Sequence, residues 1–149
     1  MATDLFLDDS HRVLTTAAFE FVLNKELKRA VRSQNFLTLV SVKPRIADPV
    51  NADQSDPSAT QKQIAHLISR ELRETDLVAE EDTGRLWLAL LDVDLQNSMN
   101  VIKRLRRRLD AYGFPTPVTV EIGAATCPTH GADIDSLRRT ADTHQFDQL

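Results

Sequence analysis

Two apolar runs that face each other across a tight turn constrain this chain more than any other feature. Residues 76–80 and 85–91 read as short strands, and Asp82-Thr83-Gly84 between them places a glycine where a hairpin needs positive φ. An antiparallel hairpin cannot stand alone in water, so the rest of the chain must extend it into a sheet and cover its faces.

The flanking segments supply that cover. Phe19, Val22, Leu23, Leu27 and Ala30 recur at three-and-four spacing, which predicts a helix from Thr15 or Thr16 to about Arg32 with a threonine cap. Residues 36–42 are short, apolar and β-branched, as in a buried strand that Pro44 stops. Residues 45–57, with Pro49 and Pro57, read as an exposed loop, after which Asp56 or Ser58 caps a helix carrying Ile64, Leu67, Ile68 and Leu72 on one face. Leu95, Met99, Ile102, Leu105 and Leu109 mark a third helix, ended by Gly113 and Pro115. Residues 118–125 predict a further strand and 133–143 a last helix, with Ile134, Leu137 and Ala141 inward. The order predicts an α+β domain with a mostly antiparallel sheet of about four to five strands flanked by helices.

A length of 149 residues suits a single domain, 1–149. Its four glycines fall well short of the usual share of about 7%, which excludes a glycine-rich phosphate cradle. The net charge of -4 argues against nonspecific nucleic-acid binding. No signal peptide or long apolar span is legible, so no membrane role and a cytoplasmic location are expected. Cys127 stands alone and reads as buried filler at a strand end, and the four histidines lack a metal-ligand spacing.

Arg73-Glu74-Thr75-Asp76-Leu77-Val78-Ala79, the hairpin after it, and the words Pro128-Thr129-His130-Gly131 and Leu137-Arg138-Arg139-Thr140-Ala141-Asp142 resemble the GGDEF domain of bacterial diguanylate cyclases. The resemblance spans about residues 8–142 and runs without a gap from Phe36 to Arg106. It implies a palm-like sheet related to nucleotidyl cyclases. It also implies a lost activity, because the signature that gives the family its name falls on Asp82, Thr83, Gly84, Arg85 and Leu86. The aspartates that hold magnesium in a working cyclase fall on Ser41 and Lys43, and the guanine-holding positions fall on Pro49 and Ser58. Magnesium needs hard oxygen ligands, and cations at Lys43 and Arg85 would repel it. Side chains at Asp82 and Thr83 also block close approach of the backbone to a triphosphate. Lys43, Arg45 and Arg85 can cluster around an anion there, but pairing of Arg85 with Glu80 or Glu81 is preferred.

One functional element of the resembled family persists. Its inhibitory site is Arg-x-x-Asp, five residues ahead of the signature, and Arg73 and Asp76 stand at that spacing. An arginine fork matches guanine O6 and N7, and a carboxylate accepts from guanine N1 and N2. Arg104, from the helix after the hairpin, stands where a further arginine completes that site, with Arg106 and Arg108 nearby. Each has a plainer reading, Arg73 and Asp76 as a surface pair and residues 103–108 as a solvated basic face. Trp87 reads as core or dimer packing rather than a nucleotide stack.

The resemblance with its departures implies a degenerate GGDEF-like signalling domain, a pseudo-diguanylate cyclase with no magnesium or other cofactor, that binds cyclic di-GMP through Arg73, Asp76 and Arg104. The alternative is a protein-interaction or dimerisation module, docking a signalling partner or a second copy through the Trp87 hairpin or the basic helix. The Lys-rich ending and last strand of the resembled family are expected to be absent, leaving a sheet edge.

Overall fold

A computed structural model of the protein describes residues 13–47 and 57–143, without the side chains of 57 and 58. Val13–Leu14 (β1) leads into Thr15, whose hydroxyl oxygen accepts from the Ala18 N–H at 3.2 Å and so caps the helix Thr16–Ser33 (α1). The strand Leu37–Ile46 (β2), the helix Pro57–Glu71 (α2), the strands Leu77–Glu80 (β3) and Leu86–Leu91 (β4), the helix Leu95–Ala111 (α3), the strand Val118–Cys127 (β5) and the helix Ile134–Thr143 (α4) follow. Among the described residues the sheet order is β1-β3-β4-β2-β5, antiparallel except for the β1–β3 pair. The two-residue parallel strand β1 is too short to leave a periodic signal in the sequence.

Alternation along the strands sorts the core into two layers. Leu86, Leu88 and Leu90 of β4 face α2 and α3 with Val40, Val42, Ile64, Ile68, Ile102 and Leu105. Trp87 and Ala89 face the other way, with Phe19, Leu23 and Leu27 of α1 and Leu137 and Ala141 of α4. Each of these large side chains is almost wholly buried, and full burial of one leucine or phenylalanine is worth roughly 1.5–3 kcal/mol. Cys127 closes β5 as buried filler, and burial pushes its thiol pKa up.

Several expectations are corrected in detail. Pro44 does not stop β2, which continues to Ile46 opposite β5. It falls beyond Val42↔Leu86, the last pair with β4, where one side of the strand has no β-partner and a missing N–H is tolerated. Arg45 and Ile46 therefore belong to a strand rather than the loop, while Pro49 and Asp56 lie outside the described residues. Ser58 is not a cap, because α2 already begins at Pro57. β1 and β5 are the sheet edges among the described residues, and the expected absence of a last strand falls on residues 144–149, outside them. No helix among the described residues is long and apolar enough to cross a membrane.

Candidate functional site

The hairpin turn and the end of β2 form one corner. Glu81 N–H donates to the Arg85 carbonyl at 2.8 Å, and Gly84 N–H to the Glu81 carbonyl at 2.9 Å, closing a turn in which Gly84 adopts φ +92°. Gln61 of α2 fastens the turn from outside, its amide donating to the Gly84 carbonyl at 2.7 Å. Antiparallel register places Ser41 opposite Trp87 and Val42 opposite Leu86, so Ser41, Arg85 and Trp87 share the sheet face that α1 and α4 cover.

Arg85 organises this corner. Its Nε donates to Ser41 Oγ at 3.0 Å, its Nη2 pairs with Asp142 Oδ1, and its guanidinium lies 4.4 Å from the centre of the Trp87 ring. Lys43 Nζ reaches the same Asp142 oxygen at 3.4 Å. Partial burial pulls the Arg85 pKa below its ordinary value, opposed by the Glu81 carboxylate and reinforced by Arg138. The guanidinium still carries its charge at neutral pH. The expected pairing of Arg85 with Glu80 or Glu81 is thus replaced by Asp142. Glu81 accepts instead from the Trp87 indole at 2.6 Å, and Arg45 pairs with Glu121 at 3.3 Å. Trp87 is 2% exposed, so the hairpin does not offer it as a docking surface.

The second corner is the turn from α2 into β3. Asp76 precedes β3 rather than belonging to it, and only 5% of its side chain is exposed. Its Oδ2 accepts from the Arg73 N–H at 3.0 Å, and its Oδ1 from the Leu91 N–H at 3.2 Å and from Arg73 Nη2 at 3.4 Å. Arg73 Nη2 also donates to the Leu91 carbonyl, and 57% of its side chain remains exposed. Arg104 docks on the last residue of α2, donating to the Glu71 carbonyl at 2.8 Å and pairing with Glu71 Oε1 at 3.3 Å, an oxygen that Arg108 Nε shares at 3.3 Å. Arg106 turns aside, donating to the Val120 carbonyl at 3.3 Å. The basic run is therefore not simply a solvated face, since three of its arginines fasten α3 to its neighbours.

No protein-family model and no curated protein matches the sequence. Solved structures do match the fold. The GGDEF domain of YfiN from Pseudomonas aeruginosa is 21% identical with a TM-score of 0.76, covering 91% of this chain and 83% of its own. The GGDEF domain of FimX from the same organism is 15% identical with a TM-score of 0.78, covering 96% and 91%. DgcB from Caulobacter crescentus, solved as coiled coil and GGDEF domain in complex with c-di-GMP, is 14% identical with a TM-score of 0.73, covering 94% and 78%. The chain has the GGDEF-domain fold.

At the hairpin corner, the end of β2 and the turn place a hydroxyl, an ammonium and a guanidinium beside the carboxylates of Glu81 and Asp82, and Asp142 is shared by two cations. Among the described residues no three His, Cys, Asp or Glu side chains stand close enough to hold a metal ion. Asp82 and Thr83 lie in the turn and Leu86 is in the core, as the sequence register requires. Two partners were missed, Asp142 and Glu71. The signal for both was charge: buried or paired cations at Arg85 and Arg104 require carboxylates from other elements, and the sequence does not say which.

Proposed function

We propose that this GGDEF-fold domain is catalytically inactive and binds cyclic di-GMP through Arg73, Asp76 and Arg104. The observation that carries the reading is the contrast between its two corners. At the hairpin, two cations converge on an internal carboxylate, the reverse of the carboxylate-held cations that phosphoryl transfer uses. At the α2–β3 turn, a largely exposed guanidinium is fixed by a buried carboxylate beside a second arginine.

The geometry divides the labour differently from the sequence expectation. Asp76 is engaged by three donors of its own chain, so its main part is to position Arg73. Arg73 Nη2 is held by Asp76 and the Leu91 carbonyl, so Arg73 presents its Nη1 to a guanine acceptor without a further search of rotamers. Arg104 and Arg108, gathered on Glu71, supply positive charge for the ligand phosphates. The c-di-GMP complex of DgcB supports the reading to the extent that a GGDEF fold can hold this ligand.

Titration calorimetry with cyclic di-GMP tests it. The parent is expected to bind and Arg73→Ala to lose roughly tenfold or more in affinity, the cost of one charge-assisted guanine contact. No heat from the parent would leave a protein-interaction module as the better reading.

A further inference from the structure

The outward face of α1 carries an arrangement that neither corner uses. Phe21 and Val31 are 65% and 52% exposed, more than any other large apolar side chain among the described residues. They stand ten residues apart, about 15 Å along the helix, and Ala17, Phe21, Asn24, Lys28 and Val31 follow the four-and-three spacing of a helix-packing seam. The core takes the opposite side of α1, through Phe19, Leu23, Leu27 and Ala30. Charge divides the seam into halves. Beside the first half, an open hollow of about 550 Å³ between α1 and α4 is lined by Phe21 and Asn24 and by Glu20, Asp133, Asp135 and Arg138, three acids to one arginine. Arg138 is committed to Glu20 at 2.6 Å, which leaves the two aspartates at the start of α4. The second half carries Lys25, Lys28, Arg29 and Arg32 against Glu26 alone, and Glu26 pairs with Arg29 at 3.7 Å. Among the described residues, Lys28 and Arg32 have no ion pair.

We infer that this face of α1 docks on a second copy of itself, the two helices lying antiparallel about a two-fold axis at the level of Glu26. Such an axis sets Phe21 against the second copy's Val31, Asn24 against its Lys28 and Glu20 against its Arg32, and each pair occurs twice. The start of α4 borders Asn24 while its Arg138 reaches Glu20, so α4 runs antiparallel to α1. Asp133 and Asp135 therefore stand at the level that meets the second copy's Lys28. Parallel pairing would instead set Lys28 on Lys28 and each aspartate on its own copy, so charge selects the antiparallel form. Lys25, nearest the axis, is drawn back over its own Phe21 ring, with Nζ 4.9 Å from the ring centre. The apolar contact is small, and the dimer is expected to dissociate at about 100 µM.

Sedimentation equilibrium without cyclic di-GMP, from about 10 µM to about 1 mM protein, tests the pairing. The parent is expected to dimerise. Phe21→Ser, Lys28→Glu and Asp135→Lys are each expected to weaken the dimer about tenfold, since every change acts twice in a symmetric pair. Lys28→Glu combined with Asp135→Lys is expected to return to within about threefold of the parent, a recovery that a perturbed fold would not give. A parent that stays monomeric at the highest concentration, a dimer indifferent to Phe21→Ser, or a double variant no tighter than the single ones would overturn the proposal. So would a dimer that forms only on adding cyclic di-GMP, which separates this test from the preceding one. Co-sedimentation of a monomeric parent with phosphatidylserine vesicles would overturn self-docking and assign the basic half of α1 to an anionic membrane.

Discussion

Asp76 gives its carboxylate to its own chain. Two of its donors are backbone N–H groups, of Arg73 and of Leu91, so it ties the turn before β3 to the end of β4. Asp76→Ala would leave those donors without their acceptor and is expected to lower the unfolding free energy by about 2–3 kcal/mol in urea. Asp76→Asn should recover part of that loss, because an amide oxygen still accepts. An unchanged urea midpoint for Asp76→Ala would mean that the turn does not depend on this carboxylate. The Arg-x-x-Asp spacing was legible in the sequence because local contacts three residues apart are fixed by the chain itself. The partners of Arg85 and Arg104 were not, since Asp142 and Glu71 reach them across the fold.

At the scale of elements, the hairpin was the most legible part. Its glycine is required by geometry: Gly84 has φ +92°, and a Cβ there would stand 3.1 Å from Gln61 Oε1. Gly84→Ala is expected to cost roughly 1–2 kcal/mol, read as a lowered urea midpoint with an unchanged slope. The helices were legible through their apolar faces, and α1 through its threonine cap. β2 was cut short at Pro44 because proline reads as a stop until the sheet shows which side of the strand is unpaired. At the other end of the chain, Asp133 accepts from the Ser136 N–H at 2.8 Å just ahead of α4. Hydrogen bonding to Ser136 is the main cause that holds its pKa below the ordinary value. A carboxyl depressed on folding stabilises above its unfolded pKa, and that contribution is lost as pH falls through the lower, folded value. Asp133→Ala is therefore expected to flatten the fall of stability below about pH 4 relative to the parent. Parallel profiles in acid unfolding experiments would contradict this role for the cap.

The whole molecule has the GGDEF-domain fold, and its two corners carry different arrangements of charge. Fold class was legible because two-residue and 3.6-residue periodicities alternate along the chain, and the core layers follow from them. What the corners can bind depends on charges brought together from α2, α3, α4, β2 and the hairpin, which periodicity does not encode. Incubation with GTP and magnesium is expected to give no cyclic dinucleotide, and any product would overturn the reading of Ser41, Lys43 and Arg85. The central claim is tested most directly by following backbone amide NMR signals during titration with cyclic di-GMP in magnesium-free buffer. The account predicts shifts at Arg73, at Leu91, whose N–H rests on Asp76, and at Arg104. An unshifted spectrum, or shifts that leave these three residues untouched, would contradict it.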